Sequence, residues 1–390
     1  MSATPRPLRI VADENMPGLQ ALFSGLGEVT ALPGRDLDPE IVKDADVLLV
    51  RSVTKVNEAL LADSKVRFVG SATIGMDHLD RPWLDSRNIF HTNAPGCNAE
   101  SVADYVIGVL AHLFLVDGYD GFHDKRFAVI GAGNVGSRVV KRLRGMGLNV
   151  VVNDPPLEKS GTQPEESFVC LEDALKADII CMHTPLVRGG DHPTKHLIGK
   201  DELSKIRPGS LLINAGRGDV IDNSALLARL EQQHDFTVAL DVWEGEPDVL
   251  RALIPFTRLS TPHIAGYSLD GRMRGSWMIY QSLCHFLGMT PDIELESLLP
   301  SPFISEARVQ GDTSFADCLR LVPLTVDVHR ESERFRQHYA DSNEHPGLFD
   351  RLRKSYPLAR EMSTLKIALD NATSATQHTL SALGFSLKDV

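Results

Sequence analysis

Short apolar runs alternate along most of the chain with longer segments whose apolar residues recur at helical spacing. The runs lie at residues 8–12, 47–50, 68–71, 127–130, 150–152, 179–182, 211–213, 237–240 and 259–260. Runs of this length predict buried β-strands. Because strands that alternate with helices assemble into parallel sheets covered by helices, the pattern predicts an α/β fold.

The runs between residues 127 and 260 come at regular spacing, which is typical of a doubly wound parallel sheet. An apolar helix predicted over residues 98–114 precedes them and connects them to the first group of strands. A proline-containing stretch at 290–302 leads to a charge-rich C-terminal segment. There the pattern predicts a strand at 321–328 and helices at 348–354 and 362–380, and we find no catalytic motif.

The stretch from residue 127 to 154 combines a strand, a glycine-rich turn, a helix and a second strand. Its turn contains Gly131, Gly133 and Gly136, and Asp154 follows at about the 20-residue spacing of dinucleotide-binding units. The glycines allow a tight turn and a close backbone approach to a pyrophosphate, for which the helix N-terminus supplies free N–H groups. Asp154 is expected to bind the adenosine ribose, and its charge would repel a 2′-phosphate, so the sequence favours NAD over NADP.

Three later strand ends carry charged residues at the edge of the sheet where a nicotinamide would lie. Arg217 stands between two glycines, Glu246 lies in the segment DVWEGEP, and His263 lies in TPHIAG. This set suits hydride transfer from a hydroxy acid: a histidine takes the hydroxyl proton, a carboxylate orients it, and an arginine grips the substrate carboxylate. The sequence therefore predicts a dehydrogenase site.

Two polar loops follow strands of the first group. Residues 51–54 contain Arg51 and Ser52, and residues 71–77 contain Thr73. Ligands of parallel sheets bind beyond the carboxyl ends of the strands, which favours substrate contacts here. Turn formation and helix capping explain the same residue types. From the residues alone, both roles stay open.

Composition narrows the classes of function. The chain has 390 residues, enough for two or three domains, and a formal net charge of −12, which argues against nucleic-acid and anionic-membrane partners. Five scattered cysteines without CxxC spacing indicate neither a metal site nor a disulfide framework, and they favour a cytoplasmic location. We expect no signal peptide and no membrane-spanning segment.

These motifs resemble those of the D-isomer-specific 2-hydroxyacid dehydrogenases. The order of Arg, Glu and His in that family is matched here by NAGRGDVID, DVWEGEP and TPHIAG, and the likeness covers about residues 8–290. Within the family, residues 51–56, 71–78, 153–156 and 263–275 are most similar to a member that oxidises a phosphorylated 2-hydroxy acid in pyridoxal 5′-phosphate biosynthesis.

The resemblance implies an organisation into domains. Residues 1–98 and 267–290 would form a split, flavodoxin-like substrate-binding or lid domain, and residues 99–266 an NAD-binding Rossmann domain. Residues 297–390 would form an α+β module that makes a homodimer. Both larger domains would contain doubly wound parallel sheets.

The resemblance also implies residue roles. Arg217, Glu246 and His263 would be catalytic. The substrate, a small phosphorylated hydroxy acid, would contact Arg51, Ser52, Thr73 and Tyr267. The cofactor, NAD, would contact Gly131, Gly133, Asn134, Val135, Gly136, Asp154, Thr184, Ala215, Gly216, Arg217, Asp241 and Gly266. Because Arg51 is the one obvious cation in a substrate loop, we expect Arg351 or Arg353 to complete the phosphate site.

Two other functions are compatible with the sequence. One is a related dehydrogenase for 3-phosphoglycerate or glycerate, although the predicted C-terminal elements do not alternate as in a small regulatory ligand domain. The other is an NAD-sensing binding protein on the same fold, since such proteins can keep the catalytic residues.

Overall fold

The computed structural model describes residues 6–118, 121–163, 165–341 and 347–388. The chain divides into two compact units. Unit 1 consists of Met1–Asn98 and Leu269–Ser301, and unit 2 consists of Ala99–Ser268 and Pro302–Val390. The C-terminal segment thus belongs to the same unit as the predicted dinucleotide-binding region.

The described residues contain strands and helices in alternation. The strands are β1 Leu8–Asp13, β2 Gly27–Leu32, β3 Val47–Val50, β4 Phe68–Ser71, β5 Phe90–Asn93, β6 Arg126–Ile130, β7 Asn149–Asn153, β8 Ile179–Met182, β9 Leu211–Asn214, β10 Thr237–Leu240, β11 Leu259–Ser260, β12 Glu306–Gln310, β13 Lys366–Asp370 and β14 Ser386–Lys388. The helices are α1 Leu19–Phe23, α2 Pro39–Val42, α3 Glu58–Leu61, α4 Arg81–Ser86, α5 Ala99–Val116, α6 Gly136–Gly145, α7 Pro155–Ser160, α8 Leu171–Ala174, α9 Lys200–Leu203, α10 Asn223–Gln232, α11 Leu269–Phe286, α12 Phe315–Leu319, α13 Val328–Asp341, α14 Leu348–Lys354 and α15 Ser374–Leu383.

Unit 1 is built on a parallel sheet with the strand order β2-β1-β3-β4-β5. This is the flavodoxin-like order, whose ligand crevice lies where the order reverses, between β1 and β3. The central strands β3 and β4 are buried throughout, which explains their continuous apolar sequence. The edge strands β2 and β5 are partly exposed and polar, so the apolar pattern did not predict them.

Unit 2 contains a six-stranded parallel sheet with the order β11-β10-β9-β8-β6-β7. A single bridge between Val152 and Phe168 adds the beginning of a further strand beyond β7. The order therefore reverses between β6 and β8, as in a doubly wound dinucleotide-binding fold, and the predicted α/β class is confirmed.

Helix α5 forms part of the core of unit 2. By length and composition it could cross a membrane, with a mean hydropathy of 1.6, but 78% of it is buried inside the protein. Its residues pack with those of β6 and α6 in one hydrophobic cluster. The apolar sequence is thus that of a core helix.

The C-terminal segment differs from its predicted pattern. Its strands form a parallel sheet in the order β12-β13-β14. The predicted strand at 321–328 is wrong: it contains Pro323, which cannot donate to a ladder, and the chain forms a 3-10 turn at Val322–Leu324. The predicted helix at 362–380 is also wrong, because its apolar residues around Ile367 form β13, and α15 begins only after Thr373 caps it. The helix at Leu348–Lys354 is confirmed.

Buried polar contacts connect this segment to the rest of unit 2. Arg142 on α6 donates to Asp104 on α5 at 2.5 Å and to the carbonyl oxygen of Leu383 at 3.0 Å. Asp104 also accepts the backbone N–H of Met362 at 2.9 Å. Because each of these groups would be costly to bury unpaired, the network favours one arrangement of the segment.

Candidate active site

A histidine and a glutamate from neighbouring strand ends are hydrogen-bonded to each other. His263 follows β11 and Glu246 follows β10, and the imidazole Nδ1 lies 2.7 Å from Glu246 Oε2. The second carboxylate oxygen, Oε1, accepts the backbone N–H of Trp243 at 2.7 Å. A carboxylate only accepts hydrogen bonds, so Nδ1 carries the proton that is shared and Nε2 is the ring atom that can take another.

The electrostatics of Glu246 favour its ionised form. Burial alone would raise its pKa, but the charge of His263 and the hydrogen bond from its ring outweigh this effect. The pKa of Glu246 therefore lies below its ordinary value. A carboxylate that stays charged beside an imidazole orients the ring and stabilises the imidazolium.

Asp241 shapes the loop that carries His263. Its side chain is 1% exposed and accepts the hydroxyl of Thr261 and the backbone N–H of Ile264, both at 2.7 Å. It also accepts the N–H of Ala265 at 2.9 Å. Burial raises the pKa of Asp241 above its ordinary value. We observe a loop-organising role for this residue, and its predicted contact with the cofactor stays a prediction.

Arg217 reaches the same region from the end of β9. Asn214 fixes its loop, because the amide donates to the carbonyl of Arg217 at 3.0 Å and accepts the N–H of Gly216 at 3.1 Å. The guanidinium donates to the Gly216 carbonyl at 2.9 Å. Asn214 is a positioning residue that the motif analysis missed, although its place directly before the glycines was a usable signal.

A cavity of about 290 Å³ joins these groups. Its lining is strongly charged and is formed by Arg188, Arg217, Gly218, Asp219, Trp243, Gly245, Glu246 and His263. The structure thus brings the three predicted catalytic residues to one cavity. It adds Arg188, which pairs with Asp219 at 3.5 Å and was not predicted. The cavity offers a proton acceptor and two cations to a small anionic ligand.

The glycine-rich turn has the shape expected for a dinucleotide. Gly131 has a φ of +86°, and a Cβ there would lie 2.8 Å from the backbone nitrogen of Thr184. Gly136 has no room for a side chain, since its Cβ would lie 1.9 Å from the Gly131 carbonyl oxygen. By contrast, the space beside Gly133 is open. Helix α6 begins without a side-chain cap among the described residues, and the N–H groups of Ser137 and Arg138 in its first turn donate to the carbonyl oxygens of Gly133 and Val135. The positive end of the helix dipole still lies at the glycine turn, where it favours a phosphate.

Neighbouring side chains fit the same ligand. Asp154 accepts the N–H of Ala132 at 2.8 Å and caps α7 through the N–H of Leu157 at 3.0 Å, which places its carboxylate beside the glycine turn. Thr184 has a buried hydroxyl with no hydrogen-bond partner among the described residues. Such an orphaned group at the point where the strand order reverses suits a polar ligand.

His183, which precedes Thr184, is also buried, and neither ring nitrogen has a hydrogen-bond partner among the described residues. Burial lowers the pKa of His183 to about 4, so the ring is neutral. No pattern in the sequence predicted a buried neutral histidine at this position.

The remaining predicted cofactor residues lie at the start of α6 and in the segments after β9 and β11. Asn134 and Val135 lie at the start of α6, where the carbonyl of Asn134 accepts from Arg138 at 2.5 Å. Ala215 is buried directly after β9, and Gly266 precedes Tyr267 in the loop after His263. Their contacts with NAD stay predictions.

The predicted substrate residues of unit 1 lie at two strand ends. Arg51 donates to the carbonyl of Asn15 at 3.4 Å, across the point where the strand order reverses, and Ser52 beside it is exposed. After β4, the hydroxyl of Ser71 lies 2.9 Å from both the Thr73 hydroxyl and His78 Nε2. Ser71 and His78 therefore hold the loop of Thr73.

Tyr267 and an arginine of the C-terminal segment lie together in unit 2. The guanidinium of Arg353 stacks over the Tyr267 ring at 5.3 Å, and its Nε donates to the carbonyl oxygen of His263 at 3.0 Å. Arg351, on the same helix, is exposed. Of the two arginines expected near the site, Arg353 contacts the His263 loop, and the expected role of Arg351 stays a prediction.

Two family models match the chain. Residues 117–265 match the D-isomer specific 2-hydroxyacid dehydrogenase, NAD binding domain, which confirms the predicted cofactor, NAD. Residues 298–384 match a domain of unknown function, DUF3410.

Solved structures of dehydrogenases share the fold. The NAD⁺-bound 3-phosphoglycerate dehydrogenase of Entamoeba histolytica aligns with a TM-score of 0.62 at 24% identity, covering 72% of this chain and 95% of that one. A D-lactate dehydrogenase from Aquifex aeolicus, complexed with NAD and lactic acid, aligns with a TM-score of 0.58 at 22% identity and the same coverage. At these identities the likeness concerns the fold alone.

Curated relatives match almost the whole chain. The erythronate-4-phosphate dehydrogenase of Proteus mirabilis is 45% identical over 97% of this chain and 99% of its own length. The enzymes of the same name from Pseudomonas fluorescens and Marinobacter nauticus are 46% and 44% identical, over 96% and 97% of this chain. The chain therefore belongs to the erythronate-4-phosphate dehydrogenases, within the NAD-dependent D-isomer-specific 2-hydroxyacid dehydrogenase family.

Proposed function

We propose that this protein oxidises 4-phospho-D-erythronate to 2-oxo-3-hydroxy-4-phosphobutanoate with NAD, a step of pyridoxal 5′-phosphate biosynthesis. The relatives that match nearly the full length are named for this substrate. The observation that carries the chemistry is the His263–Glu246 pair at 2.7 Å, which shares one cavity with Arg217.

His263 acts as the base in this reaction. Its Nε2 takes the proton of the substrate C2 hydroxyl while the C2–H bond breaks and the C2–O bond becomes a carbonyl. NAD supplies the hydride acceptor when it is bound. Glu246 keeps the ring oriented and stabilises the positive charge that the imidazole gains. In the reverse direction, the same imidazolium is the proton donor.

Arg217 holds the substrate. Its planar guanidinium matches a carboxylate, and its positive charge polarises the adjacent C2 oxygen. Asn214 and Gly218 position its loop for this role. Arg51, Ser52, Thr73 and Tyr267 are the further proposed substrate contacts. Arg188 in the cavity wall adds a second cation for an anionic substrate.

The cofactor would be held by the groups described around α6. The open space at Gly133, the uncapped first turn at Asn134 and Val135, and the orphaned hydroxyl of Thr184 support a pyrophosphate and ribose at this place. Asp154 supports NAD rather than NADP, since a carboxylate repels a 2′-phosphate. Ala215, Gly216, Asp241 and Gly266 would line the nicotinamide end.

The finer organisation belongs to the same proposal. Residues 1–98 with 267–290 would act as the substrate-binding lid, residues 99–266 as the NAD-binding domain, and residues 297–390 as the part that joins two copies. The proposed location is the cytoplasm, with neither nucleic acid nor membrane as partner, which the net charge of −12 supports.

A stoichiometric mixing experiment tests the proposal. Purified protein at substrate-like concentration is mixed with NAD and 4-phosphoerythronate, and the absorbance of reduced nicotinamide is followed. Parallel samples contain erythronate, 3-phosphoglycerate or glycerate. We expect reduction with 4-phosphoerythronate, and its loss in His263→Ala.

Other outcomes contradict the proposal in different ways. If NAD is reduced with 3-phosphoglycerate or glycerate instead, the proposed dehydrogenase chemistry is supported but the proposed substrate is wrong. This comparison is needed because the motifs of the site are compatible with these substrates as well. Bound NAD without any reduction would favour a binding protein.

A further inference from the structure

The backbone of His263 has an unusual conformation. Its φ is +56°, in the left-handed region, which a residue with a Cβ adopts only when its surroundings enforce it. This conformation directs the imidazole so that Nδ1 is hydrogen-bonded to Glu246 and Nε2 is left for a substrate. The contacts that hold the two peptide groups of His263 therefore bear on catalysis.

The peptide groups around His263 are bound from two sides. On the amino side, the N–H of His263 donates to the carbonyl of Asp241 at 2.7 Å. The next N–H groups, of Ile264 and Ala265, donate to the Asp241 carboxylate. On the carboxyl side, the carbonyl oxygen of His263 accepts from Arg353 Nε at 3.0 Å. Asp241 belongs to the sheet region, whereas Arg353 lies on α14 in the C-terminal segment.

Helix α14 is itself well anchored. Leu348, Phe349 and Leu352 are buried in the hydrophobic cluster that also contains Trp243. Phe335 stacks on Trp243 and meets Phe349 edge-on, and Trp243 donates its backbone N–H to Glu246. Helix α14 therefore shares this cluster with the segment that carries the partner of His263. The Arg353 guanidinium also stacks on Tyr267 at 5.3 Å. Burial raises the pKa of Glu246, His263 lowers it most, and the charge of Arg353 lowers it by a smaller amount.

We propose that Arg353 is a positioning residue for the reaction: by binding the carbonyl oxygen of His263, it holds the imidazole in its catalytic orientation. The proposal rests on the assignment of His263 as the base. It gives the C-terminal segment a role in the active site of its own chain, separate from any role in assembly. It also assigns Arg353 to the histidine loop rather than to the substrate phosphate.

Three substitutions in the C-terminal segment test this role. Arg353→Met removes the hydrogen-bond donor and keeps the aliphatic part of the side chain, and Arg353→Lys keeps a donor. Arg320→Met removes a charge from an exposed position, where the guanidinium pairs with Asp317, and is the control. For each protein, kcat and KM for 4-phosphoerythronate are measured, together with Tm and the NMR signals of the His263 ring.

We expect Arg353→Met to lower kcat by about 10- to 100-fold, because a misplaced catalytic group loses about that much rate. KM should change by less than about threefold, since substrate binding is retained. Arg353→Lys should recover most of the lost rate, and Arg320→Met should resemble the wild type. The His263 ring signals should move in Arg353→Met and stay in place in the other two variants.

Several results would overturn the proposal. One is a higher KM for the phosphorylated acid at unchanged kcat, which would make Arg353 a phosphate ligand. Another is equal loss of rate in Arg353→Met and Arg353→Lys with unmoved His263 signals. If the wild type oxidises none of the substrates, the proposed function fails, but the ring signals still decide whether Arg353 positions His263.

Discussion

The backbone of Gly218 lies directly against that of Trp243. A Cβ on Gly218 would come within 2.0 Å of the carbonyl carbon and oxygen of Trp243, and within 2.5 Å of the Glu244 nitrogen. This approach brings the loop of Arg217 against the loop of Glu246, so the arrangement of the proposed catalytic residues depends on a position without a side chain.

Gly218→Ala should therefore separate the two loops. Because the added methyl group meets backbone rather than a flexible side chain, the loops must shift, and we expect kcat/KM to fall by about 100-fold or more. Steady-state kinetics with NAD and 4-phosphoerythronate measure the effect. Gly25→Ala is the control, since the space beside Gly25 is open. Unchanged kcat/KM in Gly218→Ala would show that the close packing is not needed.

Glu246→Gln should reduce kcat while NAD binding is retained. An amide keeps the size of the side chain but cannot stabilise the imidazolium, and we expect a loss of about 10²- to 10⁴-fold, the range of general acid–base help. Single-turnover rates and the NAD dissociation constant from titration calorimetry check this. A loss of NAD affinity as large as the loss in rate would contradict the assigned role.

The same pair should make stability depend on pH. The pKa of Glu246 is lower in the folded protein than its ordinary value, so its stabilising effect is present above the unfolded pKa of about 4.3 and is lost as the pH falls through the folded pKa. The difference in unfolding free energy between wild type and Glu246→Gln should therefore shrink as the pH falls. Urea titrations at several pH values measure it, and a constant difference would refute the prediction.

Asp104→Ala should destabilise unit 2. It leaves Arg142 buried with one partner fewer and removes the acceptor of the Met362 N–H, and such losses typically cost about 3–5 kcal/mol. The test is urea unfolding at pH 8, above the pKa of about 7 to which burial raises Asp104. Arg320→Ala breaks an exposed pair with Asp317 and should cost at most about 1 kcal/mol. Equal effects would show that the buried network adds nothing.

Asp154→Asn should relax the preference for NAD. Asparagine still offers an oxygen to the N–H groups of Ala132 and Leu157 but lacks the charge that repels a 2′-phosphate. We expect the ratio of kcat/KM for NAD to that for NADP to fall by about tenfold, or about 1.4 kcal/mol. The two cofactors are compared at saturating substrate, with Tm as the check on folding. An unchanged ratio would place the ribose elsewhere.

Much of the fold follows from local sequence. The buried strands of both sheets are continuous apolar runs, and parallel strands covered on both faces must be apolar throughout. In these two sheets, the strands that the pattern missed, β2 and β5, lie at edges and carry polar residues. The pattern also missed β12 and β14, the edge strands of the C-terminal sheet. In the C-terminal segment, the apolar residues of β13 also fit a helical period, so the pattern predicted the wrong element.

Some features of the candidate site also follow from the sequence, whereas others depend on the tertiary structure. The sequence by itself determined the glycine turn, Asp154, and the proposed catalytic residues Arg217, Glu246 and His263, because strand ends and glycine spacing are local features. Only the tertiary structure decided that Arg353, 90 residues after His263, binds its carbonyl oxygen. It also decided that Asp241 organises the His263 loop and that Gly218 meets Trp243. These contacts depend on how distant segments pack, and packing between segments leaves no periodic signal along the chain.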